Sequence, residues 1–227
     1  MSHPEKSMRV AGAWLALASV ILALALVFHG PPSPDLSVQM RHIADGSLRW
    51  SIVHWGAAAS LLCFAVSGLI ALTAGSRLTQ EWWTTSAWAM LPIGALMTLN
   101  TAISEATVIF EAAVTGNVAT FESWWMFAEG MANGFSAMAV AFTAIAANEA
   151  RQPHSTIFHW TARVATFVGV ASVAGWVLGS WLNFPFGGPI WLISSLVMCL
   201  WLAWFGISLA RSESALATHQ RDVPSRA

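Results

Sequence analysis

The stretch Leu99–Glu111, LNTAISEATVIFE, carries an asparagine, two threonines, a serine and two glutamates, with no lysine or arginine. The next apolar run, FESWWMFAEGMANG, adds Glu122, Glu129 and Asn133. An acidic side chain in the middle of a membrane helix costs roughly 2.5–3.5 kcal/mol on insertion scales, so something must offset Glu105 and Glu129. No Lys or Arg falls at their depth, and Arg163, the one basic residue inside a span, belongs near the opposite face. Three arrangements remain. The carboxyls are protonated and act as hydrogen-bonding glue, a water-filled cavity solvates them, or a cation lies between them.

Histidines strengthen the chemical readings. His29, His42 and His54 fall on the same side as the glutamates, with Asp35 and Asp45 in the intervening loop. Imidazole with carboxylate is ligand chemistry for zinc, iron, manganese or copper, and equally the equipment of a proton relay. No His-Glu-x-x-His spacing is present to select the metal reading. The expected core site is Glu105 and Glu129 with Asn100 and Asn133. Around it stand Glu111, Glu122, His54, Ser104 and Thr107, and the metal-ligand candidates are Glu105, Glu129 and His54. A divalent metal ion is the cofactor this set would take. His29 and His42 read as loop histidines, and His159 with Arg163 as interfacial residues one turn apart.

These residues need elements to hold them. The chain is 56% hydrophobic and 9% charged, against about 25% charged in a soluble domain. Six apolar runs, near 9–29, 50–75, 84–113, 119–148, 156–182 and 189–211, each reach the roughly 20 residues that cross a bilayer. Clusters such as GPPSPD, TGN and NFPFGGP punctuate them. The expected fold is an all-α integral membrane protein of the cell membrane, six spans in one bundle over residues 1–213, with a polar cytoplasmic tail at 214–227. The first run is longer than a signal-peptide core and reads as a retained helix. Lys6, Arg9, Arg77, Arg151, Arg211, Arg221 and Arg226 fall on one side and only Arg41 and Arg49 on the other, which puts both termini in the cytoplasm.

On continuous helices, Glu122, Met126, Glu129 and Asn133 share one stripe of the fourth span. Asn100, Ser104, Thr107 and Glu111 share another on the third, with Glu105 turned away from it beside Thr98 and Thr101. The TGN turn makes these spans antiparallel neighbours, so their polar faces are expected to meet inside the bundle. Glu105 and Glu129 would lie roughly 12–16 Å deeper than Glu111 and Glu122 at 1.5 Å per residue. GMANG and GWVLG offer small faces for close packing at Gly130, Gly134, Gly175 and Gly179. Pro92, deep within the third span, is a candidate kink. His-Trp pairs open similar stretches in the second and fifth spans, but no further match supports an inverted repeat.

A net charge of −1 gives no footprint for nucleic acid. Cys63 and Cys199 form no metal-spaced pair. The lead functional class is a cation or proton site for transport or metal handling. The alternatives are a membrane-embedded metal-dependent enzyme acting on an apolar substrate, and a structural or assembly subunit. The partners expected are the lipid bilayer and either another membrane protein or a second copy.

Overall fold

The computed structural model describes residues 3–30, 33, 35–153 and 155–211, and among these helices joined by turns predominate and there is no strand. Among the described residues nine α-helices run in order: α1 His3–His29, α2 Leu36–Asp45, α3 Ser47–Thr73, α4 Trp82–Ala106, α5 Val108–Thr115, α6 Val118–Met131, α7 Gly134–Glu149, α8 His159–Trp176 and α9 Gly187–Arg211. Six helical stretches are long and apolar enough to cross a membrane: Glu5–His29, Ser47–Thr73, Trp82–Thr115, Val118–Glu149, His159–Trp181 and Gly187–Arg211. The expected tail at 214–227 lies outside the described residues.

The stretches close into a ring. α1 packs on α3 and on α9, α4 joins α3 to α7, and α8 joins α7 to α9. Most are apolar all round, with side chains such as Leu24, Val27, Phe28 and Phe167 on the outside, a pattern that suits helices crossing a membrane. Close approach relies on missing side chains. A Cβ on Gly134 would stand on the Gly94 carbonyl, and one on Gly12 on the Gly206 carbonyl. Serines bridge α3 to α1, with Ser60 Oγ donating to Ala18 O (2.7 Å) and Ser67 Oγ to Ala11 O (2.9 Å). The GWVLG glycines also serve close packing, Gly175 against the Trp191 backbone and Gly179 against Gly187 and Gly188. Gly130 meets nothing, so the GMANG expectation holds only at Gly134. α4 runs unbroken through Pro92, whose ring fills the space left by Gly68.

Two ends of the ring can be told apart. At one, Arg9 Nε donates to Ala210 O (2.9 Å), and Arg77 meets Glu149. We call this the terminal end, because α1 begins and α9 finishes there. The other, distal end is where the third and fourth stretches depart from expectation. Each was expected to be one helix, and both are broken. Thr107 (φ −124°, ψ −89°) separates α4 from α5, and a turn at Ala132–Asn133 separates α6 from α7. At 34 and 32 residues these stretches exceed the roughly 20 that hydrocarbon requires, and the surplus builds a second, smaller core. In it Ile43 of α2 packs with Trp50, Ile109, Phe121 and Trp125. The loop after α1 thus contains a helix that caps the distal end. Asp35 starts that helix, its carboxylate accepting from the Ser37 and Val38 amides.

Candidate metal centre

The side chains of His29, His54 and Glu105 converge at the distal end, where α1, α3 and α4 lie side by side. One donor atom from each falls within 4.8 Å of the others. Local sequence explains each placement. His29 is the last residue of α1, and Gly30, at φ +78°, supplies the left-handed turn that stops the helix. His54 stands two turns into α3 and is only 2% exposed. Glu105 is next to last in α4. The break at Thr107 leaves the final carbonyls of α4 without their usual helical donors. The Trp50 indole N–H takes up one of them, donating to Glu105 O at 2.8 Å.

Trp50 organises the cluster. Its ring centre lies 4.0 Å from that of His54 and 5.3 Å from that of His29. Its carbonyl accepts from His54 Nδ1 at 2.7 Å. His29 Nδ1 similarly donates to the Gly30 carbonyl at 2.8 Å. A carbonyl can only accept, so both Nδ1 atoms carry protons, and both Nε2 atoms present lone pairs when the rings are neutral. Ligating histidines are commonly oriented this way, by a backbone carbonyl on the other ring nitrogen.

The decisive contact is between His54 and Glu105. Nε2 of His54 lies 3.0 Å from Glu105 Oε2, with side-chain exposures of 3% and 15%. Yet that Nε2 is buried without a hydrogen bond, because the approach is close but badly directed. A neutral Nε2 and a carboxylate oxygen are both acceptors, and at this distance they repel. Either a proton or a cation must lie between them.

The other expected site residues lie elsewhere. Glu129 is exposed and accepts from the Trp125 indole N–H (2.9 Å). Asn133 Oδ1 accepts from Trp176 Nε1 (3.2 Å) and Trp181 Nε1 (2.8 Å). Asn100 is exposed and donates to Leu96 O, while Ser104 is buried and donates to Thr101 O. Thr107 donates to Ile103 O, and Glu111 and Glu122 are exposed. The expected meeting of polar faces between the third and fourth spans is carried instead by Thr101, whose hydroxyl donates to Ala128 O (2.8 Å). Glu122, Met126 and Glu129 do share one face of the unbroken α6, but that face is exposed and turned away from the cluster, and only Asn133, Thr107 and Glu111 lie at or beyond a break.

His29, set aside as a loop histidine, is the third member of the cluster. The available signal was its position closing the first span, on the same side as His54 and Glu105. The His-Trp pairs share no role, since His54 is buried in the cluster while the exposed His159 hydrogen-bonds to Gln152 O. Fold and site together define a multi-pass helical protein with a His/Glu cluster at one end of its ring. No protein-family model, curated protein or solved structure matches the chain.

Proposed function

We propose that this chain is a multi-pass cell-membrane protein that handles a divalent transition metal, held by His29, His54 and Glu105 and facing the outer solution. One observation carries the reading: the lone pair of His54 Nε2 and a carboxylate oxygen of Glu105 stand 3.0 Å apart without a directed hydrogen bond. The third donor favours a metal over a shared proton, because a proton needs only two partners. Two imidazoles and one carboxylate suit zinc, iron or manganese, whereas calcium and magnesium prefer all-oxygen shells. With three protein ligands the ion keeps open positions for water, substrate or an onward acceptor. The outward orientation follows from the distribution of Lys and Arg.

The test is metal content after equilibrium dialysis of the detergent-purified protein against zinc, manganese and ferrous iron. Near-stoichiometric binding of one of them is expected in the wild type. Loss is expected in His54→Ala and Glu105→Gln, and retention in Glu129→Gln. Equal metal in wild type and the two site variants, or none in any of them, would sink the proposal.

A second reading concerns partners. Glu122 and Glu129 are exposed on α6, within an otherwise apolar stretch. A neighbouring membrane helix bearing Lys or Arg would offset both charges. Cross-linking from α6 in native membranes checks this, and an unlinked monomer throughout would remove it.

A further inference from the structure

A cleft of about 460 Å³ opens at the distal end between the close of α1, the capping helix α2 and the start of α3. His29, His42, Asp45, Gly46, Arg49 and Trp50 are among the residues lining it. Its size falls in the range of small-molecule sites, about 300–1,000 Å³. His29, one of the three donors, lines this cleft together with Trp50, so the cleft borders the His/Glu cluster.

Arg49 is the cleft's one permanent cation. Its side chain folds back over the joint between α2 and α3, where a Cβ on Gly46 would stand 3.5 Å from a guanidinium nitrogen. Among the described residues the guanidinium makes no hydrogen bond or ion pair, although Asp45 lines the same cleft. It lines the same cleft as His29. An unpaired, exposed guanidinium in a cleft that one of the cluster's histidines also lines is a bidentate receptor for an oxyanion.

Charge narrows the ligand. A divalent ion with one carboxylate ligand retains a single positive charge. Arg49 adds a second and Asp45 offsets one, so the cleft is neutralised by a single negative charge. We propose that the cleft binds a singly charged oxyanion, a carboxylate or a phosphodiester, with one oxygen on the metal held by His29, His54 and Glu105 and the rest on Arg49. This rests on the metal reading above. A carboxylate would come from solution, and a phosphodiester from the headgroup of a lipid at the same surface.

Cobalt(II) in place of the native metal makes both steps visible, because its d–d absorption reports ligand changes at the ion. The wild-type protein in detergent is loaded with cobalt(II) and titrated with acetate in one arm and with phosphatidylglycerol in the other. The expected result is a saturable spectral shift in at least one arm, and the responding arm identifies the source. In Arg49→Gln the cobalt spectrum without anion should be unchanged, which shows an intact centre, while the anion midpoint should rise about tenfold or more. An unshifted spectrum in both arms, or an equal midpoint in wild type and Arg49→Gln, overturns the proposal while leaving the metal centre standing. A wild type that gives no cobalt spectrum overturns the metal reading itself, and this inference with it.

Discussion

Glu105 and Glu149 are both carboxylates held within a ring of apolar helices, and they are held in opposite ways. At the terminal end, the Glu149 side chain is fully buried and both of its oxygens are engaged. Arg77 Nη1 donates to one at 2.8 Å, and Ser155 Oγ to the other at 2.7 Å. At the distal end, Glu105 has a tryptophan on its backbone carbonyl, but its carboxylate faces an imidazole nitrogen that offers no directed proton. A saturated carboxylate ties two loops together. An unsaturated one beside two oriented imidazoles is what the proposed metal site requires. The difference between the two acid groups therefore lies in the directions of their neighbours' donors and lone pairs, since the two pairs are about equally buried.

Changing the terminal pair should produce the largest effect on stability. Arg77→Ala leaves a buried charge with only a serine partner, and a loss of about 3–5 kcal/mol is expected, read as a lowered unfolding midpoint in micelles. Metal binding by the surviving folded protein should be unaltered. A smaller loss, near that of an exposed pair, would mean that Glu149 is hydrated and that the contrast with Glu105 is weaker than drawn.

The distal cluster should respond in the reverse sense. Glu105→Gln removes one of two opposed acceptors, so the metal-free protein should unfold at the same temperature as the wild type or slightly above it. What it should lose is stabilisation by metal, about 2.7 kcal/mol in the wild type when free metal is a hundredfold over its dissociation constant. A metal-free Glu105→Gln protein that melts well below the wild type would show the carboxylate to be structural after all.

The smallest effect belongs to the cap above the cluster. Hydrogen bonds from the Ser37 side chain and from the Val38 and Ser37 amides hold the Asp35 carboxyl below its usual value of 3.8. A group whose folded-state pKa is depressed adds stability above its unfolded value, and loses it as pH falls through the lower folded value. Helix α2 should accordingly loosen only in strong acid, below about pH 4. Faster hydrogen exchange at Ser37 and Val38 as pH falls, corrected for intrinsic rates and absent in Asp35→Asn, is the expected signature.

The sequence by itself determined a good deal. Six apolar runs with Gly- and Pro-rich punctuation require six long helices, because hydrocarbon leaves backbone polar groups no partners except one another. The same reasoning made Glu105 a group in need of a partner and set His54 on its side of the protein. Two local features were beyond its reach. Nothing in LNTAISEATVIFE breaks a helix by propensity, so the interruption at Thr107 is set by the capping core of Ile43, Ile109, Phe121 and Trp125 that the extra turns form. The second is the turn at Ala132–Asn133, which takes Asn133 out of the α6 stripe, while Glu129 stays on an exposed face of α6.

Which helices are neighbours was likewise decided by tertiary structure. His29, His54 and Glu105 are far apart in the chain, and they meet because α3 lies between α1 and α4 in a closed ring. Trp50 then fixes the orientation of His54 through its carbonyl and of Glu105 through its indole. Hydropathy records how apolar each helix is and how long. It carries no information on the order in which nearly featureless apolar cylinders pack, which small residues such as Gly12, Gly68, Gly94 and Gly134 decide by where they allow backbones to touch.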